Sequence, residues 1–392
     1  MYSEDDINSA VAAGALSAEA ATSFRAHMSR VRELPRTSEE NFKLINSFND
    51  IFVAIGIVIL LVAVGAIGQT LAGLLAPAET IFEFMNRVPN ATQDQIDTWS
   101  KTDQLKDSIA AALAGLFVAL TAWPLAEFFT RRRRMAFPSI LLLLGFVGGV
   151  FAAVFGSGAA LGANGNDTAG AAMVLIAGVI AAGGAFLHWR RFQVPITIAA
   201  ATGVSVISLL LALLALIRVE PDALAFLVPV LIAGLAIFAF AMRWDISDRE
   251  RITRRSDVAF WLHLLAAPMI AHPVFALLGV TKGDDLGIGA AVGVLGVYVG
   301  FGLVALAIDR RALLVSALVY VLFALAFLFR EFGAVELTFA LTALVIGSAL
   351  LSLSAFWQPI RRSVVGALPG DLQAKLPPTS DMLPPQASVS PA

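Results

Sequence analysis

Glu127-Phe128-Phe129-Thr130-Arg131-Arg132-Arg133-Arg134-Met135-Ala136-Phe137-Pro138 sets four consecutive arginines between two long apolar runs, Ser108 to Phe129 and Phe137 to Ala159. About 20 apolar residues cross a bilayer, and short loops rich in Lys and Arg stay on its cytosolic side. The stretch therefore reads as a cytosolic turn between two membrane-spanning helices. Working outward, eight further runs have the same character: Ile51 to Leu75, Ala171 to Leu187, Val194 to Ile217, Ala223 to Met242, Val258 to Val280, Ile288 to Ile308, Ala312 to Phe329 and Leu337 to Trp357.

The charges test this assignment. With the N-terminus inside, 21 of the 27 Lys and Arg residues fall on the cytosolic side: Arg25, Arg30, Arg32, Arg36 and Lys43, then Arg131 to Arg134, Arg190 and Arg191, the five arginines of Arg243 to Arg255, Arg310 and Arg311, and Arg361, Arg362 and Lys375. The opposite side holds six: Arg87, Lys101, Lys106, Arg218, Lys282 and Arg330. The sequence thus predicts an all-α polytopic transmembrane bundle of about ten spans with both termini cytosolic. An odd number of spans would place Arg361 and Arg362 outside. The cytosolic turns recur at similar intervals, Arg132 to Arg190, Arg190 to Arg254 and Arg254 to Arg310. Duplicated two-helix hairpins and plain loop spacing both account for that period.

Composition agrees. The chain is 58% hydrophobic and 14% charged, with a mean hydropathy of +0.81, well above a soluble domain, in which about a quarter of residues are charged. A net charge of −2 gives no reason to expect nucleic acid as a partner. The absence of Cys excludes disulfides, thiolate catalysis and thiolate-ligated metals. The acidic start, with Glu4, Asp5 and Asp6, does not suit a cleavable signal peptide, and the alanine-rich character suits a bacterial inner membrane.

Three regions follow. Residues 1–36 read as a cytosolic helical hairpin: Ser3 with Asp6 starts one helix, Gly14 ends it, and Ser17 caps a second toward Arg32, with Ile7, Val11 and Leu16 meeting Phe24 and Met28. The hairpin either packs on the bundle or docks a protein partner. Residues 37–360 form the bundle, entered through a capping box at Thr37 and Glu40. Residues 361–392, punctuated by Pro369, Pro377, Pro378, Pro384 and Pro385, read as an extended, largely disordered cytosolic tail.

Two segments fall on the translocated side. In Ala76 to Asp107, Ile81, Phe82, Phe84, Met85 and Val88 suit an interfacial helix, Thr92 with Gln95 signals a helix start, and Trp99 suits an interface anchor. Ser157 to Gly170 reads as a mobile Gly- and Asn-rich loop. Each contains an Asn-x-Thr sequon, at Asn90 and Asn166, taken as a chance match in a bacterial protein.

Function in a bilayer shows as polar groups within spans, because they are costly there. No predicted span carries Asp or Glu near its middle, which weakens an ion-coupled carrier. The seventh span is the exception. Asp257-Val-Ala-Phe-Trp-Leu-His-Leu-Leu-Ala-Ala-Pro-Met-Ile-Ala-His-Pro places His263 and His272 around Pro268, with Pro273 following. At ~100° per residue, Asp257, Trp261, Pro268 and His272 share one face, while the two histidines lie on opposite faces and form no metal pair. The candidate intramembrane polar site is His272, His263, Trp261 and Asp257. Its histidines serve either as titratable ligand contacts or as hydrogen bonds between helices near carbonyls that the prolines free. In the eighth span Gly289, Gly293, Gly296 and Gly300 offer a smooth face for close helix approach, as Gly145 and Gly149 do in the third.

Zinc-protease, nucleophile-elbow and P-loop patterns are missing, so neither an enzyme nor a metal or cofactor site is expected. In Ala13-Gly14-Ala15-Leu16-Ser17-Ala18-Glu19-Ala20 at the front and Trp357-Gln358-Pro359-Ile360-Arg361-Arg362 through Leu376-Pro377-Pro378 at the end, the chain resembles uncharacterised bacterial polytopic membrane-protein families with an N-terminal helical hairpin. The resemblance implies an array of spans and transfers no activity. Two classes lead: a channel or transporter for a small solute, and a structural, sensing or assembly membrane protein without transport or catalysis. Lipid is the expected surrounding of both.

Overall fold

The computed structural model describes residues 4–24, 48–162, 166–217, 224–251, 253–280, 287–332 and 337–379. Among these, every regular element is helical, and ten helices are long and apolar enough to cross a membrane. They are α1 (Phe48–Leu75), α2 (Gln93–Ala126, continued by a π turn over Glu127–Arg132), α3 (Ala136–Ala160), α4 (Asp167–Phe192) and α5 (Ile196–Ile217). Then come α6 (Leu224–Ser247), α7 (Arg254–Leu277), α8 (Ile288–Ile308), α9 (Ala312–Glu331) and α10 (Thr338–Ala355). An eleventh helix, α11 (Trp357–Gly366), follows a single turn residue after α10.

The arginine-rich turns have a common construction. In each, one non-glycine residue adopts the left-handed region: Arg134, Gln193, Arg251 and Asp309, with φ of 53°, 56°, 56° and 56°. Such a residue ends a helix by turning the chain so that its N–H meets a carbonyl of the last turn; Gln193 bonds Trp189 and Asp309 bonds Ala305 in this way. These positions recur at 59, 58 and 58 residues, tighter than the arginines alone, and favour a repeated hairpin unit over incidental spacing. Each also takes a conformation that costs an L-residue energy and that loop spacing alone does not demand.

Helix α7 is the centre of the second half. Over half of its apolar window is buried, against 6% for α10. Val258, Leu262, Ala266 and Ile270 pack with α5, α6 and α9 through Ala199, Ile237 and Leu313. Further along, Ala271 and Phe275 pack with Val294, Ala317, Val321 and Ile346 of α8, α9 and α10. The helix continues unbroken through Pro268 and Pro273. In the first half, α1, α2 and α3 meet at glycines, with Gly68 against the backbone of Ala114 and Gly115 against that of Gly149.

The glycines of α8 do not do this. Among the described residues nothing comes within 4 Å of a Cβ placed on Gly289, Gly296 or Gly300, and Gly293 meets the end of Leu278 alone. The expected close approach is a correction: spacing identifies a smooth stripe, but Ala291, Val294 and Ala305, on another face of α8, are the residues turned inward.

At the ends, Glu4–Ala12 is helical, Gly14 has φ of +70°, the chain is helical again over 18–24, and the Ser17 hydroxyl caps Ala20 N–H at 3.1 Å. Ile7 and Ala21 are buried, whereas Phe24 is exposed, so the apolar pairing expected of Phe24 is not seen. The Ser3–Asp6 side-chain pair, Met28 and the Thr37–Glu40 box lie outside the described residues. Of the loop expected to be mobile over Ser157 to Gly170, residues 163–165 lie outside the described residues, while both flanks are helical: α3 reaches Ala160, and the Asn166 side chain caps α4 by accepting from Thr168 N–H at 2.7 Å.

The segment before α2 folds as its capping signals imply. Ile81–Arg87 is helical, with Glu83 accepting from the Thr80 N–H at 2.8 Å and the Thr80 hydroxyl accepting from the Glu83 N–H at 3.3 Å. Trp99 donates to the Glu79 carbonyl at 3.0 Å and stacks on buried Phe84, so it fastens this hairpin to α2. The bonds from Thr80 hold the Glu83 carboxyl below its ordinary value of 4.5, and Arg87 does the same to Glu79. A depressed folded value stabilises the hairpin above the unfolded value, and that contribution is lost as pH falls through the folded value. Amide exchange at Glu83 and Phe84 should therefore accelerate as pH drops from about 6 toward 3, beyond the intrinsic pH trend. A Glu83→Gln variant should be less protected at neutral pH and show a shallower change; identical profiles would refute the assignment.

Candidate functional site

Helix α6 runs five residues past the boundary that hydropathy suggests, from Met242 to Ser247, and that extension carries Asp245 into the bundle. Its carboxylate receives three donors. His263 Nε2, on α7, lies 2.9 Å from Oδ2; Arg310, in the α8–α9 turn, donates Nη2 to Oδ1 at 2.7 Å and Nε to Oδ2 at 3.4 Å. Both side chains of the Asp245–Arg310 pair are 2% exposed. Arg310 Nη2 also reaches the Ser256 carbonyl at 2.9 Å, and its guanidinium lies over Phe260 at 6.0 Å. An ionised carboxylate only accepts, so the bond fixes His263 as the Nε2–H form. Its Nδ1 is buried with no hydrogen-bond partner among the described residues.

A second layer surrounds Asp309, the left-handed residue after α8. Arg251 pairs with its Oδ2 at 3.0 Å and donates to the Ile308 and Asp309 carbonyls; Trp357 Nε1 donates to its Oδ1 at 2.7 Å. Burial pulls the Arg251 and Arg361 guanidiniums down from their ordinary value, yet arginine stays charged near neutrality. Arg361, 2% exposed, donates to the Pro377 carbonyl at 2.7 Å and the Pro378 carbonyl at 3.3 Å, and Arg249 donates to the Leu376 carbonyl at 2.8 Å. The C-terminal segment is thus seated on arginines. For residues 361 to 379 the expectation of a largely disordered tail is corrected: Trp357, Arg361 and Val365 bury one face of α11, and Leu376 packs with Ile308 and Val365. Proline cannot donate from its nitrogen but keeps its carbonyl, and buried guanidiniums need acceptors.

The four residues singled out from the sequence fall in different surroundings. His263 belongs to the buried cluster. Half-buried Asp257 lies within electrostatic reach of Arg310 and Arg254, at its edge. Trp261 lines an apolar groove of about 520 Å³ between α3, α5 and α7. His272 is exposed on the outside of the bundle, with Nδ1 2.8 Å from the Tyr320 hydroxyl of α9. His263 and His272 each have these partners, so neither serves the proline-freed carbonyls.

Asp245 and Arg310 were missed, because hydropathy ends α6 too early and because Arg310 resembles every other turn arginine. His188 was missed too. It is fully buried on α4 among Trp123, Phe146 and Phe192, with Nδ1 3.5 Å from Thr197 Oγ1. Another link ties two turns: Glu127 accepts from Arg191 at 2.6 and 3.0 Å and from Arg131 at 3.4 Å.

Against protein-family models, curated proteins and solved structures, the chain has no match. What it does must be argued from its own side chains. Among the described residues no three His, Asp or Glu side chains gather in a metal-binding group. The Asp245–His263–Arg310 cluster offers instead a charge lock that joins α6, α7 and the α8–α9 turn.

Proposed function

We propose that this multi-pass membrane protein is a non-catalytic sensing or assembly component of a bacterial inner membrane, with both termini cytosolic and its charge cluster on the cytosolic side. The observation that carries the reading is the seating of the C-terminal segment. Arg249 and Arg361 hold residues 376–378 through main-chain carbonyls, neutral acceptors that an anion or a partner's carboxylate can replace. Behind them, the Asp245 and Asp309 layers tie that segment to α6, α7 and the turn after α8, so its release reaches the bundle core. The transport reading draws on a polar route to His272, and His272 lies outside the bundle, bonded to Tyr320.

Amide exchange on the reconstituted protein tests this. An Arg249→Ala, Arg361→Ala variant should exchange residues 370–379 at least ~10-fold faster, since each charged hydrogen bond is worth ~1.5–3 kcal/mol. The α6–α7 ends should loosen with them, while α1 to α3 stay unchanged. Unaltered exchange in the variant would refute the seating. A small-ion flux in wild-type proteoliposomes that His272→Ala abolishes would replace the reading with transport.

A further inference from the structure

The stretch from Arg243 to Asp257 mixes both signs in sequence, and the fold sorts them. Asp245 turns inward to Arg310 and His263. The Asp248 carboxylate accepts from Thr253 N–H and hydroxyl, at 3.0 and 2.7 Å, and from Ser256 N–H at 3.3 Å, closing the turn into α7. Arg251 pairs with Asp309, and Arg249 reaches the C-terminal segment. Of the remaining charges, Glu250 is exposed and Asp257 is half-buried within electrostatic reach of Arg254, while Arg243, Arg254 and Arg255 line a cavity of about 1100 Å³ with Trp189, Trp244 and Ser247. Among the described residues no acidic side chain lines it.

Three arginines around one cavity attract an anion, and guanidiniums match the geometry of phosphate oxygens. The flanking tryptophans suit the boundary between headgroups and acyl chains. A second observation says what is attached to the anion. On α7, Arg254, Val258, Trp261 and Leu265 fall on one face at successive turns; the first two line the basic cavity and the last two the apolar groove. The groove begins about 5 Å further along the helix axis. Leu144, Ile207, Leu211 and Leu264 of its lining are exposed, so it is open at the bundle's outer surface.

We propose that Arg243, Arg254 and Arg255 bind the phosphate of an anionic phospholipid whose acyl chain lies in the groove between α3, α5 and α7. The shared chemistry is a phosphate oxyanion, and the groove favours one that carries a hydrocarbon chain over the free ion.

Native mass spectrometry of the full chain, with phosphatidylglycerol and phosphatidylcholine added separately, tests the site. Wild type should retain phosphatidylglycerol preferentially. Replacing the three arginines by glutamine should weaken its binding about five-fold per charge removed and erase the preference over phosphatidylcholine, whose residual retention in the groove serves as the folding control. Arg132→Gln with Arg133→Gln, at another basic turn, should retain the preference. Gly148→Leu, which fills the groove where among the described residues no neighbour lies within 4 Å of a Cβ, should weaken the lipid but not soluble glycerol phosphate. Equal retention of the two lipids, or a triple variant that still discriminates, overturns the proposal. Inorganic phosphate displacing the lipid at matching concentration would make the site one for the free anion and would also overturn it.

Discussion

Arg310→Ala should lower the unfolding free energy of the solubilised protein by about 3–5 kcal/mol, the cost of stranding one member of a buried ion pair. The size follows from where the partner is left. Asp245 is 2% exposed, and without Arg310 its carboxylate keeps only the His263 donor, while the Ser256 carbonyl loses the guanidinium as well. Asp245→Leu should cost a similar amount, because it leaves Arg310 equally buried and without its carboxylate. The combination Asp245→Leu, His263→Leu, Arg310→Met should recover most of either loss, since it removes the charges together and fills their volume with apolar atoms. Denaturant-induced unfolding in mixed micelles, followed by tryptophan fluorescence, provides the comparison. If the triple replacement is no more stable than the single ones, the cluster acts through shape and not through paired charge. If Arg310→Ala is neutral, the pair is not held as described.

The ten apolar helices were legible because each run has the length that a crossing needs, and ten described helices are long and apolar enough to cross a membrane. The charge cluster was not legible, for a reason that one residue shows. Asp245 follows Arg243 and Trp244, where hydropathy falls and a span seems to end, yet the helix continues because the receiving partners, His263 and Arg310, lie 18 and 65 residues away. Hydropathy averages over neighbours in sequence and cannot register a partner supplied across the fold. The same limit explains His272. A helical wheel places it with Asp257 and Trp261, but in the bundle one face of α7 passes a charged end, an apolar groove and an outer surface in turn. The C-terminal segment shows the reverse error: its proline content argues against a core, while its carbonyls answer buried arginines that the composition of the segment does not reveal.

Glycine substitutions on α2 and α8 should have opposite signs, although the glycine-rich stripe lies on α8 and α2 carries the single Gly115. Alanine is the better helix former by ~1 kcal/mol, so with no tertiary contact a Gly→Ala change stabilises. On α8, a Cβ on Gly296 or Gly300 meets nothing within 4 Å among the described residues, and either substitution should be neutral or stabilising by up to that amount. On α2, a Cβ on Gly115 would lie 2.5 Å from the Ala153 nitrogen and 2.6 Å from the Gly149 carbonyl oxygen of α3. Those are backbone atoms of a packed helix and cannot turn aside as a side chain can. The two helices must part, and they are joined again at Gly149 and Gly156, where a Cβ would meet Gly115 O at 2.7 Å and Ala112 N at 2.5 Å. Overpacking of this kind costs ~1–3 kcal/mol even where side chains can yield; with only backbone to move, Gly115→Ala should fall at the upper end and Gly115→Leu should prevent the α2–α3 pair from closing. Midpoints of dodecyl-sulfate-induced unfolding for Gly115→Ala and Gly300→Ala, measured side by side, separate the two effects. A Gly115→Ala protein as stable as wild type would mean that α2 and α3 do not meet at this glycine, and the close packing of the first three helices would have to be abandoned with it.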